Sequence, residues 1–144
     1  MSRISDVLRS KGADVVTISP DTPVSDLLSL LVGRNIGAVV VTSADAVVGI
    51  VSERDVVHCV FGRGGQLLST PVSDIMSSNV VTCVPDDEVD NLMRTMTERR
   101  IRHLPVVVDG KLIGIVSIGD MVKARIGELE EERAHLHSYL AAGS

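Results

Sequence analysis

Apolar and polar positions along this chain change period in a fixed order, and the order occurs twice. Residues 15–18 and 80–84 are short β-branched runs, each followed by a proline (Pro20, Pro85), the mark of strands that end in a turn. Apolar residues then recur at i, i+3, i+4 and i+7: Val24, Leu27, Leu28 and Leu31, and again Val89, Leu92, Met93 and Met96. That spacing puts one buried stripe on a helix, and Thr22-Pro23 and Asp87-Glu88 supply its cap and first-turn residues. Residues 38–42 and 104–108 read as strands. Ser43-Ala44-Asp45 and Asp109-Gly110 turn them back into strands 47–51 and 112–116, Asp-Gly between apolar runs being a strong hairpin signal. Ser52 and Ser117 then cap a last helix in each unit, reaching about Val60 and Arg125.

The doubled pattern is a doubled sequence. A shift of about 65 positions lays Thr17, Pro20, Asp21, Val24 and Leu27 over Thr82, Pro85, Asp86, Val89 and Leu92. Without a gap it lays Arg34, Ile36 and Val41 over Arg99, Ile101 and Val106, and Gly49-Ile50-Val51-Ser52 and Asp55 over Gly114-Ile115-Val116-Ser117 and Asp120. About a third of the aligned window is identical. Upstream, Ser5-Asp6-Val7-Leu8 resembles Ser73-Asp74-Ile75-Met76 at a slightly larger offset. Two fused copies of one unit follow. The fold class is α+β, tandem β-α-β-β-α repeats: residues 1–61 the first repeat with its N-terminal segment, 62–72 a linker, 73–126 the second repeat. A unit of roughly 60 residues buries little surface alone, so the two are expected to share one core. The glycines at 62, 64 and 65 lack the Gly-Lys-Ser/Thr ending of a phosphate loop and read as connector.

Residues 127–144 predict a C-terminal amphipathic helix. Ile126, Leu129, Leu136 and Leu140 fall near a/d spacing, with Arg133 interrupting the seam. The stripe either folds onto its own domain or meets a second chain; two heptads do not decide between these.

The chain has 144 residues, 44% apolar and 23% charged, with a net charge of -5. That balance describes a globular protein and argues against a general nucleic-acid binder. No apolar run approaches the length of a membrane span, and the N-terminus lacks the apolar stretch of a secretory signal. Cys59 and Cys83, far apart, suit reduced thiols in a cytoplasm. There is no Trp, one Tyr and one Phe, so a base bound here would lie between aliphatic side chains.

Gly-Ile-Val-Ser-x-x-Asp, at Gly49 to Asp55 and at Gly114 to Asp120, falls where a strand ends and a helix begins. Free N–H groups and the helix dipole there favour an anionic or hydroxyl-rich guest, and a first-turn carboxylate can accept hydrogen bonds from both hydroxyls of a ribose. Ser-x-x-Asp is equally a capping box that satisfies the helix start and nothing else. A second feature is Arg99-Arg100-Ile101-Arg102-His103-Leu104-Pro105, opposite Arg34-Asn35-Ile36-Gly37-Ala38-Val39-Val40 in the first unit. Arg99 and Arg100 read as a solvated helix end. Arg102 and His103 lie where a helix feeds a buried strand, so a guanidinium there can hold phosphate bidentately and an imidazole can add a hydrogen bond. A hydrogen-bonded structural histidine is the competing reading of His103.

With its doubled unit, paired Gly-h-h-Ser-x-x-Asp endings (h apolar) and Arg-His-Leu-Pro-Val-Val stretch, the chain resembles a cystathionine-β-synthase (CBS) domain pair, or Bateman module, over residues 1–126. The resemblance implies a pseudo-twofold module with two clefts for adenosine-containing ligands such as AMP, ADP, ATP, NAD(H) or S-adenosylmethionine. It further implies a non-enzymatic regulatory role toward an unknown partner, here as a stand-alone protein, and a homodimer. Carried over by residue, it implies a first site of Ile50, Ser52, Asp55, Val80, Val81, Ile101, Arg102 and His103. The second would be Val15, Val16, Ile36, Gly37, Ala38, Arg102, His103, Ile115, Ser117 and Asp120. In each, the aspartate would bind ribose, the apolar residues the base, and Arg102 with His103 the phosphate. Gly37-Ala38 opposite Arg102-His103 predicts that the sites are not equivalent. Arg102 and His103 favour a phosphate-bearing ligand over S-adenosylmethionine, and Arg54 is a further phosphate candidate that also reads as an exposed helix arginine.

The competing function is a structural or dimerisation module with degenerate sites. Catalysis finds little support: His58 and Cys59 diverge by about 100° on a helix, His135 and His137 do not share a face, and no zinc spacing occurs.

Overall fold

A computed structural model describes residues 2–12 and 14–143; Met1, Ala13 and Ser144, at the edges or within the segments delimited above, lie outside the described residues. Helix α1 (Ile4–Lys11) leads into the first repeat, formed by β1 (Thr17–Ile18), α2 (Val24–Arg34), β2 (Ala38–Ser43), β3 (Ala46–Ser52) and α3 (Glu53–Arg63). The second repeat is α4 (Val89–Arg99), β4 (His103–Val108), β5 (Lys111–Ser117) and α5 (Ile118–Ala142). The architecture is the expected α+β repeat. β1 runs parallel to β2, and β2 antiparallel to β3 with Val39 opposite Val51. β4 and β5 repeat the hairpin with Leu104 opposite Val116. Both hairpins turn through two residues of positive φ, Ala44-Asp45 and Asp109-Gly110, whose left-handed backbone matches the strand twist.

Three sequence expectations change. Residues 80–84 form no strand: pairing shrinks to one parallel bridge, in which Cys83 N–H donates to the Pro105 carbonyl (3.0 Å) and Val107 N–H to the Cys83 carbonyl (2.9 Å). The first repeat has Val40 where the second has Pro105, and a proline has no N–H with which to extend the ladder. Second, α5 runs unbroken through Arg125 and Gly127 to Ala142, so the repeat's last helix and the C-terminal helix are one element. Its apolar stripe is not folded back on its own domain: Leu129, Leu136 and Leu140 are about half exposed or more.

Third, there are two cores rather than one, and each is closed by the leading segment of the other repeat. Val24, Leu27, Leu31, Val39, Val41 and Val51 pack with Leu67 and Val72 of the connector and Ile75 at the start of the second repeat. Val89, Leu92, Met96, Leu104, Val106 and Val116 pack with Ile4 and Val7 of α1. The connector is therefore structural, coiled into short 3-10 turns at Gly64–Ser69 and Val72–Asp74. The exchange also supplies the N-termini of α2 and α4. Pro23 and Glu88 hold the cap positions without a side-chain hydrogen bond, while the Thr22 hydroxyl pairs with that of Ser19. Val24 N–H instead donates to the Thr70 carbonyl (2.9 Å), and Val89 N–H to the Ser2 carbonyl (3.0 Å). Orphan helix donors must find some partner, and here backbone from the opposite half provides it.

Candidate functional site

The paired motif places its residues alike in both repeats. Ser52 is the N-cap of α3: Asp55 N–H donates to Ser52 Oγ (3.3 Å), while Ser52 N–H (2.8 Å) and Ser52 Oγ (3.0 Å) donate to Asp55 Oδ2. Ser117 caps α5 through Asp120 N–H to Ser117 Oγ (3.1 Å) and Ser117 N–H to Asp120 Oδ2 (2.8 Å). Both capping boxes are real. Capping does not exhaust Asp55, however, because the bonds fall on one carboxylate oxygen and the side chain also borders a cavity.

That cavity, about 310 Å3, lies between the repeats. It is lined by Ile50, Ser52, Asp55, Val80, Val81, Ile101, Arg102 and His103, the eight residues assigned to the first site. β3 and the start of α3 bring the first three. The irregular chain that follows Ser77 brings the valines, held against β3 by Ile50 N–H to the Ser77 carbonyl (3.0 Å) and Ser77 N–H to the Ile50 carbonyl (2.9 Å). The turn from α4 into β4 brings Ile101 to His103. The wall also includes Glu53, Arg54, Ser77, Asn79 and Arg100. Arg54 thus borders the cavity, and so does Arg100, which the sequence placed on a solvated helix end. Arg100 ends α4 in the left-handed conformation (φ 56°), as Asn35 ends α2 (φ 52°). Only the tertiary fold could reveal Ser77 and Asn79, which stand in no motif, and Glu53, which fills an unspecified position of one.

Arg102 and His103 adjoin both halves. The His103 ring faces Gly37: a Cβ on that glycine would stand 3.4 Å from His103 Cε1 and 3.6 Å from Glu53 Oε1. Burial pushes the imidazole below its ordinary pKa of 6.5; Asp120 and Glu53 pull it up, and Lys11 and Arg102 push it down, leaving it lowered. At neutral pH His103 is therefore a neutral hydrogen-bonding group, and fixed positive charge in the cavity comes from its arginines.

The second junction is arranged differently. Gly37 and Ala38, assigned to the second site, line the first cavity. Val16 and Ile36 pack against the first core, and Val15, Ile115 and Ser117 are half-buried; these five border neither this cavity nor the smaller one beside Asp120. That smaller cavity, about 160 Å3, is lined by α1 and α5 residues, among them Asp6, Ser10, Lys11 and Lys123. Lys11 Nζ donates to Asp120 Oδ2 (2.6 Å) and to the Ile115 carbonyl (2.9 Å). Burial would raise the Asp120 carboxyl, but the Lys11 ammonium and the Ser117 N–H outweigh it and hold the group below the usual carboxylate value.

The remaining candidates lie apart. His58 is exposed on α3 and Cys59 is packed against the first core. Cys83 is buried, its thiol pushed up to about 12 by burial and by Asp87; the two cysteines are free thiols. His135 and His137 are exposed on α5. No helix among the described residues is long and apolar enough to cross a membrane.

Two duplicated halves, each ending a hairpin in a capped helix and enclosing a cleft between them, define a tandem-repeat α+β module, and the CBS domain model matches residues 4–62 and 72–127, so this chain belongs to the CBS domain family as a CBS pair. It is 38% identical over 97% of its length to the mitochondrial CBS domain-containing protein CBSX3 of Arabidopsis thaliana, of which it covers 72%. The crystal structure of the CBS-domain containing protein ATU1752 from Agrobacterium tumefaciens superposes with a TM-score of 0.83 at 47% identity, over 86% of this chain and 99% of that one. The CBS domain pair of protein MJ0100, solved with 5-methylthioadenosine and S-adenosyl-L-methionine, shares the fold (TM-score 0.79, 89% of this chain and 98% of that one) at 22% identity.

Proposed function

We propose that this chain is a non-enzymatic regulatory module that binds an adenine nucleotide in the cavity between its two repeats and passes the binding on to a partner. One observation carries the reading: the cavity joins the Asp55 carboxylate and Ser52 hydroxyl from one repeat to Val80, Val81, Ile101, Arg102 and His103 from the other. Asp55 and Ser52 would hold ribose, the aliphatic side chains would sandwich adenine, and Arg102 with Arg54 or Arg100 would take phosphate in bidentate fashion. At about 310 Å3 the cavity stands at the small end of ligand sites, which favours a compact mononucleotide such as AMP or ADP over NAD(H). Three arginines against two carboxylates in its wall favour an anion over the sulfonium of S-adenosylmethionine. Because the ligand would touch both repeats, it would shift their relative arrangement by as much as its affinities for the two arrangements differ.

Phe61, 97% exposed, and the open stripe of α5 favour a protein partner or a second copy as the listener. Free thiols suit a reducing compartment, the cytoplasm being the one proposed. Calorimetry on ligand-stripped protein with AMP, ADP, ATP, NADH and S-adenosylmethionine tests the reading: AMP or ADP should bind best, and Asp55→Ala should weaken that binding by at least about tenfold. Silence from every one of them up to millimolar concentration would leave the dimerisation module as the function.

A further inference from the structure

We infer that Lys11 is a built-in occupant of the second junction, and that the chain therefore takes one nucleotide rather than two. The inference rests on the nucleotide reading above and concerns how many of the two motif ends are open to a ligand.

The two leading segments meet the motif glycines in the same register. Leu8 lies over Gly114, and Met76 lies over Gly49. Three residues onward stand Lys11 and Asn79. Beyond that point the paths part: α1 stays helical to Lys11, while the chain after Met76 bends and pairs Ser77 with Ile50. The consequence is chemical. At the second junction one ammonium satisfies the carboxylate that a ribose would use, Asp120 at 2.6 Å, together with the Ile115 carbonyl at 2.9 Å. At the first, the Ile50 carbonyl accepts a backbone N–H from Ser77, and among the described residues the Asp55 carboxylate accepts only from Ser52 of its own cap, with a neutral Asn79 in the same cavity wall.

A ribose hydroxyl is a weaker partner for a carboxylate than an ammonium is, because the ammonium adds a full opposite charge to the hydrogen bond. The Lys11–Asp120 pair is also partly withdrawn from water, with side chains 31% and 23% exposed, so a guest would have to expose a held charge without replacing it. Lys11 sits at the end of α1, whose Ile4 and Val7 are built into the second core, so the helix holds the lysine in place.

Titration of the full chain with AMP by calorimetry decides the matter. The wild type should bind one equivalent per chain. Lys11→Met and Lys11→Gln, which remove the ammonium and keep α1, should bind two, the second within about tenfold of the first, whereas Lys11→Arg should bind one. Two equivalents in the wild type would overturn the inference and leave the nucleotide reading standing. One equivalent in both Lys11→Met and Lys11→Gln, with unchanged melting, would do the same. No binding by any of these proteins would overturn both.

Discussion

Leu8 rests on Gly114: a Cβ added there would lie 2.8 Å from Leu8 Cδ2, closer than side chains approach one another. Met76 covers Gly49 in the same way. The glycine that opens each Gly-Ile-Val-Ser-x-x-Asp motif is thus a seat for the leading segment of the opposite repeat, and has no part in the ligand chemistry of the Ser and Asp that follow. Gly114→Val should destabilise the fold by about 1–3 kcal/mol through overpacking, measured by urea denaturation. Leu8→Ala in that background should return part of the loss, and the two changes should be non-additive in a double-mutant cycle. Additive effects would show that the contact does not matter.

Asp55 serves the helix and, in our proposal, the ligand, and the two roles separate by experiment. Ser52→Ala removes the N-cap acceptor and should cost about 1 kcal/mol of stability with a modest loss of AMP affinity. Asp55→Ala should cost a similar amount of stability yet lower AMP affinity by at least about tenfold, about 1.4 kcal/mol. Equal losses of affinity in the two variants would reduce Asp55 to a cap.

Arg100 should show a trade between stability and binding. It holds a left-handed conformation (φ 56°) that costs a β-carbon-bearing residue about 1 kcal/mol relative to glycine, and it borders the cavity. Arg100→Gly should raise the melting temperature and weaken binding of AMP more than that of adenosine, since only the former has a phosphate for the guanidinium. A variant with unchanged AMP affinity would return Arg100 to the solvated surface.

His103 should make stability depend on pH near neutrality. Its folded pKa is lowered from 6.5, chiefly by burial, so the unfolded chain binds the proton more readily. The associated stability is full above 6.5, declines as the pH falls below that value, and is gone beneath the folded pKa. Melting temperatures between pH 7.5 and 5 should therefore fall more steeply for the wild type than for His103→Asn. An imidazole titrating above 6.5 by NMR would reverse the sign.

Much of the wall of the first cavity was legible in the sequence because its residues sit in repeated, local patterns: Ser52 and Asp55 in a motif, Arg102 and His103 as charged residues where the other copy has Gly37 and Ala38. Ser77 and Asn79 were not, since they enter the wall only when the chain after Met76 is laid along β3; nor was Glu53, an unspecified position of the motif whose place in the wall no local pattern marks.

The sequence by itself determined the duplication, the helices and hairpins of each unit, and the capped strand-to-helix junctions, because each depends on side-chain period and on neighbours a few residues apart. Tertiary structure alone decided which half closes which core, and with it the difference between the two junctions. Ile4 and Val7 serve the second core, and Leu67 and Val72 the first, through contacts that no local period encodes. Lys11 meets Asp120 across 109 positions of chain for the same reason: an apolar face is satisfied by whatever surface the fold brings to it, and the lysine at the end of that helix goes where the face is buried.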